Sequence, residues 1–168
     1  MNRLLRLLAH RRLDESDAHR ALDTPARQRL AERVAASERA HSGEIRLCIE
    51  PGLPLSYLWR GASARERAIA LFGKLRVWDT ELNNGVLVYL LLAERAVEIV
   101  ADRGLARRVP PERWQAIADT LSARLRDGRY EEGLAGAIDA VHALLARNFA
   151  LAPGEANPNE LPDEPAVP

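Results

Sequence analysis

The chain has 168 residues, 47% of them hydrophobic and 29% charged, and its 24 basic and 24 acidic side chains give a formal net charge of +0. That length suits one globular domain with a core and is short for two. Balanced charge excludes a global field that gathers nucleic acid, so no nucleic-acid partner is expected. A lone cysteine, Cys48, excludes an intramolecular disulfide.

No apolar run approaches the ~18 residues that span a bilayer. The first residues, MNRLLRLLAHRRL, lack the long apolar core and small-residue cleavage site of a secretory signal. A cytoplasmic chain is therefore expected. Residues 1–23 read as a basic amphipathic helix, with Leu4, Leu5, Leu7, Leu8 and Leu13 interleaved by Arg3, Arg6, Arg11 and Arg12. The favoured expectation packs the leucines on the domain and solvates the arginines. The alternative is a weak contact of residues 1–13 with an anionic membrane surface.

Thr24-Pro25 reads as a cap followed by proline at the first helical position. The helix behind it presents Leu30, Ala31 and Val34, and stops around His41-Ser42-Gly43. There the helix dipole favours a charged His41. Residues 44–50 (EIRLCIE) alternate, placing Ile45, Leu47 and Ile49 on one face of a strand and Cys48 in an apolar setting that keeps a thiol inert. Pro51-Gly52-Leu53-Pro54 ends it.

Ser63 and Glu66 have the spacing of a capping box. Ala68, Leu71, Phe72 and Leu75 then follow helical periodicity. Over thirty residues separate the first strand from the second, which implies a parallel pair joined by a crossover. Residues 85–92 (GVLVYLLL) are nearly all apolar, as in a central strand covered on both faces. After a short turn, residues 96–101 return as its antiparallel partner.

Pro110-Pro111 opens a helix carrying Trp114, Ile117, Ala118, Leu121 and Leu125, and Gly128 breaks it. A last helix over residues 130–147 buries Leu134, Ile138, Val141 and Leu145. The expected fold is α/β: a three-layer αβα sandwich over residues 24–149, with a small mixed sheet flanked by amphipathic helices. Residues 150–168 hold five prolines, four carboxylates and no cation. Disorder is the expectation for this tail, with a strap over the body as the alternative.

Common catalytic and nucleotide-binding motifs are absent, and His10, His19, His41 and His142 lack metal-ligand spacing. Carboxylates and amides remain at one end of the sheet. Asp79, Glu81, Asn83 and Asn84 precede the central strand, and Asp102 follows its hairpin partner. A hairpin places the start of one strand beside the end of the other, so these five are expected to converge. Oxygen donors without histidine or cysteine suit Ca²⁺ or Mg²⁺, with no organic cofactor. In the turn reading, Asn83, Asn84 and Gly85 let the chain adopt positive φ. Asp102-Arg103-Gly104 is likewise a turn signal.

The leading expectation is a divalent-cation-binding module that acts through an unidentified protein partner. Its alternative is a metal-assisted phosphatase acting on phosphomonoesters. Asp79 and Asp102 then serve as ligands or as acid and base, and Arg103 grips the phosphate. A third is a peripheral membrane adaptor using residues 1–13.

Several elements together resemble the TPM domain family: Gly43-Glu44-Ile45 entering the first strand, Asn84-Gly85-Val86-Leu87 entering the second and Asp102-Arg103-Gly104-Leu105 after the third. Gly128-Arg129-Tyr130 followed by Gly133-Leu134 also fits. The resemblance covers about residues 30–149 and suggests a soluble bacterial branch. It implies an αβα sandwich, and an acidic loop that binds divalent cations in some members. In some branches, including thylakoid lumen proteins, it also implies acid phosphatase activity. Many relatives place an aspartate where this chain has Asn83 and a glycine where it has Asp102. Many also carry an export signal and a membrane helix outside the domain.

Overall fold

A computed structural model describes residues 3–168. Three strands form the sheet: β1 (Ile45–Glu50), β2 (Val86–Leu91) and β3 (Ala96–Ala101), in the order β1-β2-β3. β1 pairs with β2 in parallel, Ile45 opposite Val86, and β2 pairs antiparallel with β3, Val86 opposite Ala101. A 3₁₀ turn (Leu92–Glu94) with Arg95 at φ 50° closes the hairpin. Every residue of β2 is buried, as its unbroken apolar run requires of a strand covered on both faces.

The helices are α1 (Arg3–Arg12), α2 (Glu15–Ala21), α3 (Thr24–Glu38), α4 (Leu55–Trp59), α5 (Ala64–Lys74), α6 (Arg103–Ala106), α7 (Pro111–Arg126) and α8 (Tyr130–Asn148). On one face of the sheet Ile45, Leu47, Ile49, Val86, Val88 and Leu90 pack against apolar residues of α2, α3, α7 and α8. On the other face Cys48, Leu87, Tyr89 and Leu91 meet Ala64, Ala68 and Leu71 of α5. The result is the expected αβα sandwich, one layer thicker in helices than the other. Burial, with Glu50 nearby, pushes the Cys48 thiol up to about 12, so it stays a neutral packing group.

Local signals set most helix starts. Ser63 and Glu66 form the capping box of α5. The cap of α3 lies one residue before the expected Thr24: Asp23 accepts from the Ala26 amide at 2.8 Å, and Pro25 follows in the first turn. Residues 1–23 were expected as one helix, and the structure divides them. Asp14 and Asp17 make a reciprocal capping box that starts α2, so the chain turns at Leu13.

The orientation of α1 leaves Arg11 and Arg12 exposed as expected but departs from the favoured expectation at Arg6 and at three leucines. Arg6 and His10 point inward. Arg6 Nε lies 2.6 Å from the Glu94 carboxylate and its Nη2 donates to Ala62 O at 2.7 Å. His10 Nε2 lies 2.9 Å from Glu94, and His10 Nδ1 accepts the Leu53 amide at 2.9 Å. Leu4, Leu5 and Leu8 are left 62%, 59% and 45% exposed. Periodicity locates a stripe but not its orientation, and here the anchored polar residues decide it.

The tail also differs from the disorder expected of its composition. It runs back along the free edge of β1, where the Ile49 amide donates to Ala166 O and the Ala166 amide donates to Leu47 O, both at 2.9 Å. Leu161 and Pro165 are buried. Arg46 donates to the carbonyls of Pro162 and Glu164. An unpaired strand edge and a guanidinium matching peptide carbonyls outweigh the tail's low hydrophobicity.

Candidate functional site

The loop end of the sheet is built by close backbone approach. The Val86 amide donates to Glu44 O and the Asp102 amide donates to Gly85 O, each at 2.8 Å. Glu44 and Asp102 therefore flank Gly85, one on each neighbouring strand. A Cβ on Gly85 would lie 2.1 Å from Val77 O, and one on Gly104 would lie 2.5 Å from the carbonyls of Leu82 and Asn83. Both glycines are thus required by space. The positive φ expected at this turn falls on Asn83, at 53°, a residue type that tolerates it.

The five candidate oxygen donors divide into two groups. Asp79 is exposed and pairs with Arg76, three residues earlier. Glu81 is exposed, and its amide donates to Glu160 Oε2 of the tail at 3.1 Å. Asn83 Oδ1 accepts from Arg103 Nε at 3.1 Å, so the arginine considered for phosphate binding is engaged within the loop. Asn84 and Asp102 are buried. Asp102 Oδ1 accepts from the Arg103 amide at 2.7 Å and caps α6. Asn84 Nδ2 donates to Ser42 at 3.2 Å. Each of these two retains one buried oxygen, Asn84 Oδ1 and Asp102 Oδ2, that accepts no hydrogen bond. Among the described residues no three His, Cys, Asp or Glu side chains converge as metal ligands.

Two further polar groupings lie outside the sequence-based candidates. Ser37 Oγ lies 2.9 Å from His41 Nε2 and 3.0 Å from His142 Nδ1, and His41 Nδ1 lies 3.0 Å from Gly43 O. A consistent proton assignment has His142 donating to Ser37, Ser37 to His41 and His41 to Gly43 O. Burial, with His142 nearby, lowers His41 to about 4, so the dipole-stabilised imidazolium expected from sequence gives way to a neutral ring. The hydroxyl–imidazole pair is buried and joins α3 to α8. Residues 37 and 142 are far apart in sequence, so no spacing rule reveals the link.

At the opposite end of the sheet Glu50 is buried between Arg67 and Tyr89. Arg67 Nε lies 3.1 and 3.0 Å from its two oxygens, and the Tyr89 hydroxyl donates to Oε2 at 2.7 Å. A glutamate closing an alternating strand gave the only advance sign of this network.

The model of the TPM domain matches residues 16–144, most of the chain, and the protein belongs to that family. Two solved structures share the fold. The NMR structure of the BA42 protein from the psychrophilic bacterium Bizionia argentinensis superposes with a TM-score of 0.75 at 23% identity, over 88% of this chain and 95% of that one. The N-terminal domain of a protein from P. gingivalis gives a TM-score of 0.61 at 24% identity, over 76% and 78%. Comparison with curated proteins finds no match.

Proposed function

We propose that this TPM domain works by binding, and that the face formed by α1 and α4 docks on an anionic membrane surface. The observation that carries this reading is the outward leucine stripe of α1. Leu4, Leu5 and Leu8 share their helix face with the exposed Arg11 and Arg12. Beside them on α4, Leu55 is 45% and Trp59 is 79% exposed. A groove of about 310 Å³ between the helices is lined by Leu4, Leu7, Leu58 and Trp59. Apolar side chains on a surface helix, a tryptophan at the boundary and arginines at the rim match the interfacial mode of membrane binding. Among the described residues no helix is long and apolar enough to cross a membrane.

The test is sedimentation with phosphatidylglycerol-containing vesicles against phosphatidylcholine vesicles. Binding is expected to the anionic set. Replacing Arg11 and Arg12 by glutamine weakens it by about fivefold per residue, from about 1 kcal/mol for each cation near such a surface. Leu8→Glu abolishes it without unfolding an exposed position. Equal binding by wild type and both variants would refute the membrane reading and leave a protein as the partner of this face.

A second reading, a divalent cation at the loop, has its own support in the unpartnered oxygens of Asn84 and Asp102. Together they offer one amide and one carboxylate donor, which fits in part a Mg²⁺ or Ca²⁺ that keeps several waters. Such an ion orders the loop and, in the phosphatase alternative, polarises a phosphate ester. Thermal unfolding tests it: an ion at ~100 times its Kd adds about 2.7 kcal/mol, and Asp102→Asn removes the gain. No shift with either ion would sink this reading.

A further inference from the structure

The tail brings one carboxylic side chain of its own over two others near the start of β1. Glu38, at the end of α3, is 4% exposed and Glu44 is 0% exposed. Glu38 Oε1 accepts the Ile45 amide at 2.8 Å, and Glu44 Oε2 accepts the Leu161 amide of the tail at 3.2 Å. Asp163 comes from the tail itself, and its carboxyl is within hydrogen-bonding reach of Glu38. Glu38 Oε2, Glu44 Oε1 and Asp163 Oδ1 are all buried without a donor. Two carboxyls in contact with no donor between them need a proton between them.

We infer that residues 157–166 form a proton-latched strap, held on the free edge of β1 by a proton shared between Glu38 and Asp163 and released when that proton is lost. The charged groups around the latch set its direction. Glu44 faces Glu38 from the start of β1, Glu160 faces Glu44 from the tail, and Asp163 faces Glu38 directly. Arg46 faces Asp163 and Glu164 from β1. Burial and the two neighbouring carboxylates hold Glu38 up to about 8. When the strap lifts, Asp163 leaves and water reaches Glu38, which returns toward the ordinary carboxylate range. The lifted state binds fewer protons, so raising the pH drives opening.

Release has consequences for neighbouring surfaces. Asn157 Nδ2 donates to His41 O at 3.1 Å and the Glu160 carboxylate accepts the Glu81 amide, so the strap also touches the candidate loop at Glu81. Opening frees the edge of β1 and the Glu81 amide together.

The experiment is amide hydrogen exchange by NMR on the full chain, corrected for intrinsic rates. It compares Ala166, whose N–H bonds the strap to Leu47, with Val88 in the central strand. Between about pH 5 and about pH 8, protection at Ala166 should fall by up to about tenfold per pH unit, the limit for one linked proton, while Val88 does not follow. In Glu38→Gln, which carries a permanent donor, Ala166 should stay protected at all these pH values. Asp163→Asn, on the tail and outside the core, should flatten the profile likewise and carries the test if Glu38→Gln fails to fold. Level protection in the wild type, or the same fall in a folded variant, would overturn the latch.

Discussion

Glu50 and Gly85 show how much one residue can determine. Glu50 is a buried carboxylate neutralised by Arg67, whose side chain is only 11% exposed, with Tyr89 supplying a further donor. Removing one partner of a buried pair strands the other charge. Arg67→Ala is therefore expected to cost about 3–5 kcal/mol in urea unfolding, against about 1 kcal/mol for Tyr89→Phe. Gly85→Ala is expected to cost about 1–3 kcal/mol, because the Cβ must displace the Val77 carbonyl. A loss below a few tenths would show that the chain at Val77 moves freely. The loop motif was legible as a turn from Asn83-Asn84-Gly85. Its reason was not, because close approach involves Val77, eight residues away, and leaves no mark in local composition.

Among the elements, α1 carries the clearest lesson. A helix of ten residues has little stability in isolation, and its place here depends on Glu94, which receives Arg6 and His10 together. Those two donors hold the Glu94 carboxyl below its usual range despite partial burial. Glu94→Ala should release α1 while leaving the sandwich folded. The expected loss is about 1–3 kcal/mol in thermal unfolding, with exchange protection lost across residues 3–12 and kept in β2. Hydrophobic periodicity correctly marked the stripes of α5, α7 and α8, whose leucines had a sheet to meet. It misplaced the stripe of α1 because α1 meets an anion at the end of the hairpin instead. The break at Asp14 was missed for a simpler reason, since two interlocking caps were read through as one helix.

For the molecule as a whole, two buried groups of opposite sense have the largest effect on the pH response, with burial raising Glu44 in the same direction as Glu38. His41 is lowered to about 4 in the folded state from an ordinary 6.5. Its contribution is fully present above 6.5 and declines as pH falls toward 4. Glu38 is raised to about 8 from 4.5, so its contribution is fullest below 4.5 and declines as pH rises toward 8. Between 4.5 and 6.5 the two slopes oppose each other, and the melting temperature should vary little there. Replacing Glu38 by glutamine should make the alkaline slope shallower, and His41→Gln the acid slope. Melting curves of both variants from about pH 4 to about pH 8.5 check this.

The sandwich, the parallel and antiparallel pairings and most helix limits were determined by the sequence itself. Each rests on a period, a cap or a run length that acts within a few residues. The TPM membership was legible for the same reason, through glycine-bearing turns at the strand ends. Tertiary structure alone decided which side of α1 faces inward and which loop carboxylates are engaged. It also brought Ser37 to His142 and laid an acidic, proline-rich tail along a strand edge over Glu38. Those outcomes depend on partners up to more than a hundred residues away, such as Arg46 and Pro162, and electrostatic and hydrogen-bond complementarity at that range is created by folding.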